Sequence, residues 1–430
     1  MKQEFVFNFG EGTMTLAVDE ADILDIVEGK NIPAIVDVPR EIKQALRKPI
    51  GSLPLSSIVQ LGDRVVIVVS DITRQWIRYD LLLPTLITEL NRSGIPDAAI
   101  TLIVARGAHR AQTDLENVAT YGAEIVNRLT IKQNDTARDQ EFICMGQTSR
   151  GVNVRLHQEV VHADKVILTG GIVYHSMAGF SGGRKAILPG VAAYDTIQGN
   201  HQLCLNPIVG QGLNPHCDSG KLDGNEMNQD MLEIAQMLNP DFLFNAIYTS
   251  DGNFARFVAG DWRDAWLEGC QTVKELYGVP IQAKADIVIA SAGGFPKDIN
   301  FYQASKTIEN ACVATKDGGV LIAIMECRQI DDPPDFSQWF DYLSLTEREA
   351  KLRQGFTVPG FVALKIGLIA KKITVIVVTL PKNKPFFEKA GMLATDSLSG
   401  AVEQARQLVG GGQAAITIMP HGANTLPIVS

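Results

Sequence analysis

A chain of 430 residues exceeds what one hydrophobic core serves, since single cores stop growing at about 250–300 residues, and two domains are expected. An apolar share of 46% with 20% charged residues is ordinary for a globular protein, and a formal net charge of -9 excludes nucleic acid as the main partner, because phosphate contacts need clustered Lys and Arg. No apolar run reaches the roughly 18 residues of a membrane span, and six scattered cysteines without a CxxC form neither a disulfide framework nor a thiolate zinc site, which fits a reducing cytoplasm.

Taken in order, "MKQEFVFNFGEGTMTLAV" alternates apolar and polar residues and reads as a strand pair, not a signal peptide. Apolar, β-branched runs then recur: "RVVIVVS" (64–70), "ITLIVA" (100–105), "KVILTG" (165–170), "DIVIAS" (286–291), "GVLIAI" (319–324) and "ITVIVVTL" (373–380). Runs this apolar suit strands buried on both faces of parallel sheets. Amphipathic stretches such as 81–94 and 399–411 separate them, the latter ending on glycine. The alternation predicts an α/β protein of two domains, with mainly parallel sheets flanked by helices. The cut is placed where a helix-like segment yields through Gly278-Val279-Pro280 to a new strand. It gives residues 1–272 as a cofactor-binding and catalytic domain and 273–411 as a second α/β domain supplying substrate contacts. The tail, about 412–430, is expected to pack back on the first domain.

Ligands of open α/β sheets bind at the carboxyl ends of strands, and a polar cluster follows each of four strands here. After 64–70 come Asp71, Thr73 and Arg74. Asp71 could cap a helix; Arg74 offers a planar fork to a carboxylate or phosphate. After 100–105 comes "RGAHR", where Arg106 and Arg110 flank His109 and would favour the neutral imidazole a general base needs. After 165–170 comes a Gly-rich stretch holding His175, Lys185 and, further on, His201. After 286–291, "GGFPKDINFYQASK" opens a helix with Gln303 and Lys306 on one face. Convergence of these clusters predicts an active site in the interdomain cleft. His157, His162, His216 and His421 have no comparable setting and read as structural.

The segment "AGFSGGRK" sets Gly179, Gly182 and Gly183 beside Arg184 and Lys185, which reads as a phosphate cradle. It is not a Walker A loop, and neither GxGxxG nor HExxH occurs. A metal held by a single protein histidine would need its other ligands from elsewhere, which suggests a metal carried by an organic cofactor. His109 and His175 form a candidate acid/base pair of the kind a racemisation requires.

These motifs together resemble the nickel-dependent lactate racemase family, whose members racemise or epimerise 2-hydroxy acids. The resemblance runs from D-x-T-R at Asp71–Arg74 through G-x-H-R at Gly107–Arg110 to "HSMAGFSGGRKAILPG", "TIQGNH", "GGFPKDINFYQASK" and "PHGANTLP". It implies a nickel-pincer nucleotide, of the pyridinium-3,5-bisthiocarboxylic acid mononucleotide type, tethered covalently to Lys185 with nickel ligated by His201. It implies His109 and His175 as the acid/base histidines. Asp71, Thr73, Gly179, Gly182, Gly183 and Arg184 would be cofactor contacts, and Arg74, Gln303 and Lys306 substrate contacts. The implied reaction inverts C2 by proton-coupled hydride transfer through a planar 2-keto acid. Its partners would be the hydroxy acid and the cofactor-building enzymes. After D-x-T-R the chain continues "QWIRYD", where many relatives have a proline-containing turn, so Trp76 or Arg78 could select another side group. Malate, aromatic 2-hydroxy acids and aldonic acids therefore stand beside lactate as substrates. Two other readings are a pyridoxal-phosphate enzyme using Lys185, which leaves His201 unexplained, and a sensor binding without turnover, which would not need His109 and His175.

Overall fold

The computed structural model describes residues 1–341 and 344–429. Twelve strands make its two large sheets: β1 (Ile23–Ile26), β2 (Val65–Ser70), β3 (Ile100–Ala105), β4 (Thr130–Gln133), β5 (Lys165–Gly171), β6 (Phe242–Tyr248), β7 (Phe254–Gly260), β8 (Ala285–Ser291), β9 (Thr315–Ile324), β10 (Thr374–Val378), β11 (Leu393–Thr395) and β12 (Ile416–Met419). They belong to two compact units. An inserted unit holds Asn31–Cys204 and His216–Lys274; a terminal unit holds Met1–Lys30, Leu205–Pro215 and Glu275–Ser430.

The inserted unit's sheet runs β7-β6-β5-β2-β3-β4, parallel except for β7. Val65 to Val69 are all buried, as a central strand covered on both faces requires. The helix Tyr79–Arg92 buries Leu82, Leu83, Leu86, Ile87 and Leu90, spaced three and four apart, in one core with Val65, Ile67 and Val69. Each such side chain contributes about 1.5–3 kcal/mol on burial. The chain passes from β2 outward to β3 and β4, then returns to place β5 on the other side of β2. The order therefore reverses between β2 and β5, and ligands of open α/β sheets bind at the carboxyl ends of strands at such a switch point.

The terminal unit's sheet runs β11-β10-β9-β8-β12-β1 and is parallel throughout. The N-terminal residues form the expected hairpin, Lys2–Phe9 against Gly12–Asp19. Its Phe5, Phe7 and Val18 pack into the core around Ile289, Ile322 and Ile416.

The domain division expected at 272/273 needs correction at both ends of the chain. The first thirty residues belong with the C-terminal sheet, because β1 pairs with β12. The tail does not return to the N-terminal part: β12 pairs with β8, and Leu426–Val429 pairs with Gly278–Ile281. Pairing between strands nearly a chain length apart leaves no mark on local hydrophobic pattern. Among the described residues no helix is long and apolar enough to cross a membrane.

Candidate active site

Three loops at the carboxyl ends of β2, β3 and β5 carry the inserted unit's polar centre. Asp71 leaves β2 as the cap of a short helical turn, Ile72–Ile77, and accepts from Thr73 N at 3.1 Å and Thr73 Oγ1 at 2.5 Å. Its other oxygen, Oδ2, lies 2.6 Å from His109 Nδ1. The carboxylate is 3% exposed. Burial raises its pKa, but the hydrogen bond and charge of His109 prevail and hold it below the ordinary value. A carboxylate can only accept, so His109, its side chain half-exposed, carries a proton on Nδ1 and, when neutral, a lone pair on Nε2.

Arg106 and Arg110 do not act on this imidazole as the sequence suggested. Arg106 pairs with Asp135 and donates to the His109 carbonyl; Arg110 pairs with Glu116. Their charges are neutralised locally, and the group that sets His109 is Asp71.

Behind β5 the chain forms a miniature hairpin, Tyr174–His175 against Gly179–Phe180. His175 Nδ1 accepts from the amides of Met177 and Ala178, each at 3.2 Å, so the neutral ring carries its proton on Nε2. Burial, then the charges of Lys185, Arg74, Arg184 and His201, push its pKa well below 6.5. His109 and His175 thus stand in opposite tautomers, one with an accepting Nε2 and one with a donating Nε2.

Lys185 lies on the Gly183–Ala186 turn, and its ammonium forms no hydrogen bond or ion pair among the described residues. Burial, with Arg184 and Arg74, brings its pKa to about 7. His201 sits on the helix Tyr194–Gln202, where Nδ1 donates to Ile197 O at 2.9 Å. Burial and Lys185 push it down to about 3. This arrangement keeps Nε2 as the lone-pair nitrogen, the orientation a metal-ligating histidine needs from its outer hydrogen bond. Among the described residues no three His, Cys, Asp or Glu side chains group to hold a metal. The β3 loop is tied to this segment by Gly107 N donating to Gly190 O at 3.0 Å.

The expected phosphate cradle is a packing device. Arg184 is fully buried and donates to the carbonyls of Ala178 and Phe180 and to Asn228 Oδ1, with its guanidinium 4.0 Å above the Trp266 ring. Its cation is spent inside the loop. A Cβ at Gly182 would fall 2.6 Å from Asn245 Oδ1, and one at Gly183 the same distance from Trp266 Cγ. At Gly179 it would meet the Lys221 carbonyl at 2.3 Å. These glycines admit protein neighbours, and the Gly183 amide already donates to Asn245. Asn245, Asn228 and Trp266 were not singled out in the sequence, although an Asn amid "FLFNAIY" on a covered strand is a visible signal.

Asp71, Thr73, Arg74, His109, His175, Lys185 and His201 all lie in the inserted unit, with Arg74 in electrostatic reach of Asp71, His175 and Lys185. Gln303 and Lys306 belong to the terminal unit, on the exposed side of the helix Phe301–Ala311, with Lys306 Nζ donating to Gln303 Oε1 at 3.3 Å. In "QWIRYD", Arg78 pairs with Asp80, and Trp76 lies edge-on to Tyr248 and is 39% exposed.

Such a set gives one α/β unit two histidines in opposite tautomers, a buried lysine of lowered pKa and a buried histidine with its Nδ1 committed. Comparison with known proteins narrows this. The lactate racemase N-terminal domain model matches residues 9–212 and the lactate racemase C-terminal domain model residues 281–426. The chain belongs to the lactate racemase family. It is 30% identical over 426 residues to a lactate racemase of Thermoanaerobacterium thermosaccharolyticum, covering 97% of both chains. It is 35% identical over 309 residues to a lactate racemase of Lactiplantibacillus plantarum, covering 69% of this chain and 70% of that one. The lactate racemase apoprotein structure from T. thermosaccharolyticum superposes with a TM-score of 0.89 at 28% identity, covering 99% of this chain and all of that one. A Thermotoga maritima protein, 14% identical with a TM-score of 0.61, shares the fold alone.

Proposed function

We propose that the protein is a racemase of 2-hydroxy acids, with lactate as the leading substrate, that works with a nickel-pincer nucleotide held covalently by Lys185 and through nickel by His201. The observation that carries this reading is the pairing of a lysine brought to about pH 7 with a buried histidine whose Nδ1 is already committed. A near-neutral amine is the form that attaches covalently. When bound, the cofactor supplies a reversible acceptor for the C2 hydride.

The protein's own groups do the rest. Arg74 offers its guanidinium fork to the substrate carboxylate. His109 Nε2 takes the hydroxyl proton, and Asp71 balances the imidazolium that results. His175, as it stands, donates from Nε2 to the substrate oxygen. Serving as base toward the opposite enantiomer requires its ring proton to move to Nδ1, which releases the Met177 and Ala178 amides. Gln303 and Lys306 are assigned to the substrate by family likeness. The hydroxy acid and the cofactor-building enzymes are the partners this reading requires, in the cytoplasm.

The test is intact mass and metal analysis of protein made beside the cofactor-building enzymes, with turnover followed on lactate, malate, phenyllactate and gluconate. Nickel, an adduct on Lys185 lost in Lys185→Ala, and racemisation of one panel member are expected. An adduct persisting in Lys185→Ala, or no nickel in a competent host, would return the assignment to the sensor or pyridoxal-phosphate readings.

A further inference from the structure

Lys297 and His421, both in the terminal unit, have no part in this chemistry. Lys297 lies in the loop after β8 and His421 in the loop after β12. These strands are parallel neighbours, with Ala290 beside Met419, so both loops leave the same end of the sheet. That is the end at which parallel sheets bind ligands. The loops are tied together: Gly422 N donates to Ser291 O at 2.8 Å, and Gly293 N donates to Ser291 Oγ at 3.0 Å.

Gly293 and Gly294 turn with φ of 97° and 73°, a conformation that favours glycine. A Cβ at Gly293 would lie 3.7 Å from Lys297 Nζ and 3.9 Å from His421 Nδ1, so the two nitrogens converge on one point beside the turn. Among the described residues the Lys297 ammonium has no hydrogen bond or ion pair, and the His421 ring has no hydrogen bond. Asp298, the next residue, is engaged elsewhere: its Oδ2 accepts from the Gly10 and Glu326 amides at 2.8 and 3.1 Å. The buried Gly294 amide also meets no acceptor among the described residues. Burial lowers the Lys297 pKa, and burial followed by the charge of Lys297 lowers that of His421 against the pull of Glu28. Withdrawing such donors from water without acceptors is costly.

We propose that Lys297, His421 and the Gly293-Gly294 turn form a binding site of the terminal unit for the carboxylate of a small organic acid. A carboxylate is an acceptor only, and its two oxygens suit donors gathered without an acceptor of their own. Lys297 supplies one positive charge against one negative charge, and a neutral His421 adds a hydrogen bond without adding charge. A phosphate monoester carries about two charges at neutral pH, and one ammonium would leave it half-compensated in this partly buried setting. The chain's own acids do not take the place: Glu28, whose charge reaches His421, is exposed and forms no ion pair among the described residues. The terminal unit thereby has a ligand of its own, whatever the inserted unit carries.

The test is NMR of the whole chain labelled with carbon-13 at histidine Cε1, which gives a signal for each of the 7 histidines. His421→Gln assigns the signal of interest. Titration with acetate at constant ionic strength should move the His421 signal to saturation, chloride should not move it, and phosphate should bind more weakly than acetate. Lys297→Met should weaken acetate binding by about tenfold or more, the loss of a charged hydrogen bond. Lys297 has no protein partner to orphan, so this variant is expected to fold, and Lys297→Gln serves as a second. No saturable shift, an equal shift with chloride, tighter binding of phosphate than of acetate, or unchanged affinity in both Lys297 variants would overturn the proposal. His109, His175 and His201 report on the inserted unit in the same spectra, so a silent His421 is distinguishable from a failure of the racemase reading.

Discussion

The 2.6 Å hydrogen bond between His109 Nδ1 and Asp71 Oδ2 decides which nitrogen of the neutral His109 ring carries the proton. Asp71→Asn keeps the shape but can present its amide nitrogen to Nδ1, which favours the wrong tautomer and removes the charge that balances the imidazolium. A fall in kcat of about 10²-fold or more is expected, with nickel content unchanged. Turnover within a few-fold of the parent would remove Asp71 from this role.

Lys185 gives a stability signature in apoprotein. Its pKa is lowered from 10.5 unfolded to about 7 folded, so between these values the unfolded chain binds a proton that the folded chain does not. Stability then rises with pH across that window, and the cost of the lysine is greatest below about 7. Lys185→Met should raise the apoprotein Tm most at pH 6, with the gain shrinking toward pH 10. A gain independent of pH would contradict the lowered value.

His201 acts on the acid side. Its folded value of about 3 lies under the ordinary 6.5, so as pH falls below 6.5 the unfolded chain takes up a proton first and stability is lost. Melting curves of apoprotein between pH 7 and pH 5 should show this slope, reduced in His201→Gln. An unaltered slope would show that the imidazole is not held neutral.

Arg184→Met separates a packing residue from an anion contact. Removing the guanidinium orphans the Ala178 and Phe180 carbonyls and the contact with Trp266. A loss of about 3 kcal/mol in urea unfolding of apoprotein is expected. Unchanged stability with weaker cofactor retention would reinstate the cradle.

Much of this architecture is legible before any coordinates. The doubly covered strands announce themselves through unbroken runs such as Val65–Val69, and "FYQASKTIENA" is helical from Phe301 to Ala311. The loops that hold Asp71, His109 and His175 follow from where those strands end. Two things are not legible. A glycine tolerates a close neighbour as readily as it approaches an anion, so "GFSGGRK" reads the same whether Arg184 faces a phosphate or Trp266. Charge proximity along the chain also misleads: Arg106 and Arg110 flank His109 in sequence, while Asp71, from another strand, is the group it touches.

The pairing of β1 with β12 has a consequence for synthesis. Ile23–Ile26 leave the ribosome long before Ile416–Met419, the strand beside which they settle. Phe5, Phe7 and Val18, which the finished core conceals, must wait for that later strand to be made before their cover is complete. The inserted unit has all its strands by Gly260 and can complete its sheet during that interval. The nascent N-terminal hairpin is thus the segment most in need of a chaperone's shelter, and the place where a stalled or truncated product would begin to aggregate.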